Sequence, residues 1–226
     1  MKFTSSQRHI ASALSLAERF AGKNITLPIL GNVLLEVEAN VLRVTATNLE
    51  YAIQLEVTGS GASPGRATVP AKILSALMQS VKEDKVELQE KQKNLLVKTE
   101  TRETRINGMD PEDFPLLPKI KKAAHFSIPA PLLHRGVESV LPAVFLSEFK
   151  PELAGVLFSI SPDALRLAAT DTFRLAEKIV PFPEKRKEER FSFILPYRAA
   201  QELGRVFSGR DEEARVSLGA HQVLFE

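Results

Sequence analysis

The chain has 226 residues, 30 Lys and Arg against 28 Asp and Glu, a formal net charge of +2 and no cysteine. The lack of thiols rules out disulfides and thiolate metal sites and makes the cytoplasm the expected compartment. No apolar run approaches the roughly eighteen residues of a membrane-spanning helix, and Met1-Lys2-Phe3-Thr4-Ser5 has no apolar stretch of the signal-peptide kind.

In chain order, residues 1–5 read as a strand and residues 7–20 as a helix. Ile10, Leu14 and Ala17 lie on one face of that helix, with Ser5 or Ser6 as its cap. Residues 34–37, 41–47 and 52–57 read as a meander of strands. Residues 59–65, rich in Gly, Ser and Pro, read as a loop. A short strand then leads to Val69, and Pro70 is expected in the first turn of a second helix, where proline is tolerated. That helix carries Ile73, Leu74, Leu77, Met78 and Val81 on one side. Strands over 86–88, 95–98 and 104–106 follow. After them comes a stretch with Pro115, Pro118, Lys119, Lys121 and Lys122 that reads as a linker.

The second half repeats the first. At a shift of 123 residues, Val33-Leu34-Leu35 matches Val156-Leu157-Phe158, and Ala46-Thr47-Asn48 matches Ala169-Thr170-Asp171. Further on the shift becomes 126, pairing Val69-Pro70 with Leu195-Pro196. Helices are therefore expected near 131–141 and 196–207. A long-period repeat means one structural unit built twice. Each unit reads as α+β, two helices on antiparallel sheet. The second copy stops opposite residues 95–97, so the chain is expected to be part of a longer protein.

Charge is distributed unevenly. The expected helices hold Arg8, Arg19, Lys72, Lys82, Arg135, Arg198 and Arg205 against Glu18, Glu138 and Glu202, a net of +4, which leaves −2 for everything else. Such a layer either solvates helix surfaces or faces phosphates, and phosphate neutralisation alone gives binding without sequence readout. Few aromatics accompany these cations, which disfavours a base-stacking platform. Catalytic groupings are sparse. His9, His125, His134 and His221 show no metal-ligand spacing, and His9 and His134 read as helix-surface residues. Asp171 is the best acid, yet its repeat partner is Asn48, a pairing that suits a turn former.

Met1-Lys2-Phe3-Thr4, Leu27-Pro28-Ile29-Leu30-Gly31-Asn32, Asp113-Phe114-Pro115 and Ala169-Thr170-Asp171 with Arg174-Leu175-Ala176 together resemble the β sliding clamp family of bacterial DNA polymerase III. The resemblance implies tandem DNA-clamp domains: the first over residues 1–115, a linker over 116–124, a C-terminally incomplete second over 125–226, and no third. It implies a processivity factor, not an enzyme, with no cofactor or metal. In the family two subunits close head-to-tail into a ring around duplex DNA. Polymerase subunits, the clamp loader and repair proteins dock on it through short apolar peptides. Carried over by position, the DNA-facing residues are Arg8, Lys23, Lys72, Lys82, Arg135, Lys150, Arg198 and Arg205. The second-domain wall of the peptide pocket is Leu153, Thr170, Thr172, Phe173, Arg174 and Leu175. The subunit contact uses Ile73, Leu77, Thr104 and Ile106. Two departures stand out: Pro151-Glu152 replaces a frequent aromatic pair, which Phe149 and Lys150 would substitute, and Thr172-Phe173 replaces the more usual Gly-His. Without the third domain the chain is expected not to close the ring. The rivals are a stand-alone peptide-binding module with no DNA role and an enzyme using Asp171.

Overall fold

Alternating burial along the first strand, β1 (Lys2–Ser6), turns Phe3 and Ser5 inward, and the chain then winds directly into α1 (Gln7–Phe20). Ser6 caps that helix, its hydroxyl accepting the His9 N–H at 3.3 Å. Ile10, Ala13, Leu14, Ala17 and Phe20 recur at helical spacing and are buried. The computed structural model describes residues 1–22, 26–117, 124–146, 149–182, 190–219 and 221–226. It divides into Met1–Leu117 and Pro118–Glu226. Lys23 and the linker lysines Lys119, Lys121 and Lys122 lie outside the described residues.

The first unit continues with β2 (Asn32–Glu38), β3 (Val41–Thr47), β4 (Ala52–Thr58), β5 (Ser60–Ser63), β6 (Gly65–Pro70), α2 (Ala71–Ser80), β7 (Lys85–Lys91), β8 (Asn94–Lys98) and β9 (Glu103–Ile106). Its antiparallel sheets run in the orders β5-β1-β7-β8-β9 and β4-β3-β2-β6. The second unit has β10 (Ala124–Pro129), α3 (Ala130–Val140), β11 (Gly155–Ile160), β12 (Ala164–Thr170), β13 (Leu175–Pro181), β14 (Phe191–Pro196), α4 (Tyr197–Val206), β15 (Glu213–Leu218) and β16 (Val223–Phe225). Here the antiparallel orders are β13-β12-β11-β14 and β10-β15-β16. In each unit a helix pair, α1 with α2 and α3 with α4, packs on these sheets. Both units are therefore α+β.

The repeat survives in the register. Leu35 faces Val44 across β2 and β3, and Phe158 faces Leu167 at the matching place across β11 and β12. All four side chains are fully buried. Phe158 also stacks on Phe193 with ring centroids 4.9 Å apart. Burying one such side chain stabilises the fold by about 1.5–3 kcal/mol.

Four expectations change. Residues 60–63, read as loop, form strand β5 and pair with β1. Their glycines serve close approach: a Cβ on Gly59 would lie 2.5 Å from the Phe3 ring and one on Gly61 1.8 Å from the Ala39 carbonyl. Pro70 ends β6 opposite Asn32 and stands at the N-cap of α2, one residue ahead of the first turn. Lys82 lies outside α2, past the cap residue Val81, and its N–H donates to the Glu83 carboxylate at 3.1 Å. His134 is half-buried, with its Nδ1 2.7 Å from the Gly204 carbonyl oxygen, so it joins α3 to α4.

Candidate functional site

The helix surfaces carry the charge. Within the observed bounds six cations (Arg8, Arg19, Lys72, Arg135, Arg198 and Arg205) stand against Glu18, Glu138 and Glu202, a net of +3. Arg8, Lys72, Arg135, Arg198 and Arg205 are all exposed. Arg8, Lys72 and Arg198 each occupy the second residue of their helix, and none of the four helices has an acidic residue in its first turn. Lys72 and Arg198 are also repeat partners at the shift of 126. The helix dipole disfavours a cation there by about 0.3–1 kcal/mol and favours an anion. Unpaired first-turn N–H groups add to the pull on an anion. Three helix starts therefore carry a charge that costs the helix stability and suits a phosphate. Among the described residues no carboxylate lies within ion-pair distance of these three side chains.

The other expected cations differ. Arg205 is ion-paired with Glu202, a buried carboxylate one turn earlier, so its charge is partly neutralised. It borders a cavity of about 290 Å³ between the end of α3 and α4, lined also by Glu138, Leu141, Tyr197 and Gln201. Arg135 Nε donates to the Pro131 carbonyl at 3.2 Å, which folds the side chain along α3. Lys150 is exposed beside Phe149, which is 95% exposed.

A second grouping sits on the turn between β12 and β13. Thr170 Oγ1 donates to the Arg174 carbonyl at 2.8 Å and accepts the Thr172 N–H at 3.2 Å. Asp171 Oδ1 accepts the N–H groups of Phe173 at 3.0 Å and Arg174 at 2.9 Å, while Oδ2 takes Arg174 Nε at 2.8 Å. These bonds, the Arg174 N–H first, hold the Asp171 carboxyl below the usual aspartate range. Thr172 is left-handed at φ 77, strained for a β-branched residue. The first unit builds the same turn: Thr47 and Asn48 make the matching bonds, and Leu49 is also at φ 77. Asp171 is thus a turn former, as its pairing with Asn48 suggested. The turn displays Phe173, 96% exposed, and Leu175, 72% exposed, beside half-buried Leu153 and Thr170.

The residues expected at a subunit contact divide. Ile73 is exposed, and Leu77 and Thr104 are half-buried. The Ile106 side chain is buried in its own unit, so only its backbone on edge strand β9 can serve. The first-turn rule that unites Arg8, Lys72 and Arg198 was not drawn from the sequence, although residue order alone carries it once helix starts are fixed. Among the described residues no three His, Cys, Asp or Glu side chains gather as a metal site.

Two tandem α+β units, each setting a basic helix pair on antiparallel sheets, define a protein of the DNA-clamp class. The family model for the DNA polymerase III beta subunit, N-terminal domain, matches residues 1–118, and that for its central domain matches residues 127–226. The chain belongs to the DNA polymerase III beta subunit family. It is 32% identical over 247 residues to the beta sliding clamp of Synechocystis sp., covering 100% of this chain and 63% of that protein. To the Salmonella typhimurium beta sliding clamp it is 30% identical over 225 residues, covering 99% of this chain and 61% of the relative. The crystal structure of the DNA polymerase III subunit beta from Pseudomonas aeruginosa superposes with a TM-score of 0.94 at 29% identity, over 100% of this chain and 62% of that one. The chain thus spans about three-fifths of the length of the relatives it matches.

Proposed function

We propose that the chain is part of a sliding clamp, a processivity factor that encircles duplex DNA without reading its sequence and tethers polymerase subunits, the clamp loader and repair proteins. The observation that carries the reading is the exposed cation at the second residue of α1, α2 and α4, without a first-turn carboxylate beside it. Nothing in helix stability favours that choice, whereas a phosphate does. Family membership supports the same use. Arg135 and Lys150 extend the basic surface, and Lys82 adds to it from outside the helices. Arg205, held by Glu202, contributes least.

Partner peptides dock on the second unit at Leu153, Thr170, Thr172, Phe173, Arg174 and Leu175. Support comes from two large apolar side chains exposed on a rigid turn, the kind of surface that supplies a few strong anchors. A head-to-tail contact between subunits uses Ile73, Leu77 and Thr104, with the open backbone edge of β9. The test is duplex association at low ionic strength. The chain should bind unrelated duplexes equally, with a steep salt dependence. The triple change Arg8→Gln, Lys72→Gln and Arg198→Gln should flatten that dependence. Equal salt slopes for both proteins would favour the peptide-binding module with no DNA role.

A further inference from the structure

The repeat builds one apolar slot twice, and only the first copy is filled. In the first unit Phe114, 3% exposed, packs with Ile29, Leu30 and Leu34 on the outer face of the four-stranded sheet. The tail that delivers Phe114 is anchored along its length. Met109 N–H donates to the Thr68 carbonyl at 3.1 Å, and Thr68 Oγ1 donates to the Met109 carbonyl at 2.8 Å. Lys93 then meets Asp110 at 2.6 Å and Arg66 meets Glu112 at 3.0 Å. A 3-10 turn over Pro111–Asp113 follows and sets the ring into the slot.

The same places in the second unit are Leu153 for Leu30, Leu157 for Leu34 and, at the shift of 126, Ile194 for Thr68. Leu157 and Ile194 face each other across β11 and β14, and they are 38% and 45% exposed. Leu157 points outward between two fully buried neighbours, Val156 and Phe158, as Leu34 does between Val33 and Leu35. Nothing among the described residues of this unit plays the part of Phe114. The charge around the slot has also changed. Ile29 is replaced by exposed Glu152, and Arg66, which holds the acidic tail, is replaced by Ser192.

We propose that the outer face of the β13-β12-β11-β14 sheet is a docking slot for an extended aromatic–proline segment, supplied in trans, whose ring enters against Leu153, Leu157 and Ile194. The occupant takes the pose of Phe114–Pro115. It carries a cation before its aromatic residue, because Glu152 stands where the first unit has an apolar wall and no Arg66 is present to receive acidic residues. The slot shares Leu153 with the peptide site proposed above but rests on the repeat, not on that reading.

The test is an NMR titration of the chain with the acetylated, amidated peptide Pro-Gln-Arg-Phe-Pro-Leu-Leu. Saturable amide shifts at Leu153, Leu157 and Ile194 are expected. They should vanish when alanine replaces the peptide phenylalanine and weaken at least about tenfold in a Leu157→Arg chain. Phe173→Ser should leave the binding unchanged, because that residue belongs to the turn and not to the slot. Shifts confined to residues 170–175, loss of binding on Phe173→Ser, an equal response to the alanine peptide, or no saturable shift would each overturn the slot. Failure of the turn to bind partner peptides would instead be read from a Phe173→Ser effect on those peptides, so the two outcomes are separable.

Discussion

Reversing the charge at Lys72 should make the protein more stable and a poorer DNA binder at the same time. Lys72 is the second residue of α2, exposed, in a first turn without a carboxylate. Replacing it with glutamate removes an unfavourable interaction with the positive end of the helix and adds a favourable one. Each is worth about 0.3–1 kcal/mol at an exposed site, so the first unit should gain about 1 kcal/mol at low salt. For a unit of 117 residues that is a rise in Tm of roughly 4 °C. The gain should fade as salt screens the helix end. On duplex DNA the same change removes a phosphate contact and adds a repulsion, lowering the slope of log K against log salt by about 1. Thermal unfolding and fluorescence anisotropy with a labelled duplex, both run across ionic strength, read the two effects. A Lys72→Glu protein that is less stable, or that binds DNA with an unchanged salt slope, would refute the assignment of this cation to phosphate.

Three further outcomes are expected. Thr172→Gly should stabilise the second unit by about 0.5–1 kcal/mol, since a left-handed non-glycine residue costs about 1–2 kcal/mol and glycine gives part of that back in the unfolded chain; a fall in Tm would count against it. Asp171→Asn should keep the turn, because the amide oxygen can still accept the Phe173 and Arg174 N–H groups, as Asn48 does for its own turn. The Asp171 carboxyl is depressed, so its stabilisation is present above the ordinary aspartate pKa and is lost as pH falls through the folded value; acid unfolding of the Asn variant should lack that component. Glu83 is lowered from 4.5 to about 2, chiefly by the Thr101 hydroxyl and then by its own backbone N–H and Thr99. Its contribution persists above 4.5 and disappears as pH approaches 2, and carboxyl NMR titration of Thr101→Val should show that pKa moving back up.

Pattern and position in the chain carried much of this protein. The period-3.6 spacing of Ile10, Leu14 and Ala17, and the strand runs around Leu35 and Val44, depend on short-range geometry that any folded context preserves. Asn48 opposite Asp171 marked a turn in both copies because an Asx oxygen bonds its own backbone two and three residues on. Strand β5 escaped because Ser60–Ser63 contributes backbone to an edge and no apolar side chains, so glycine looked like a loop where it permits close approach. Lys82 was misplaced because a helix end is fixed by the cap and not by charge.

The sequence by itself determined that one α+β unit is built twice, where its helices run and which of them carry cations, since repetition, periodicity and charge are properties of residue order. Only the tertiary structure decided which charges remain available, because Glu202 reaches Arg205 while no described carboxylate reaches Lys72. It alone also decided that Ile106 turns into the core and that Phe114 fills a slot which Leu157 leaves open. Those outcomes depend on contacts between residues far apart in the chain, and the exposure of a side chain is settled by what packs over it.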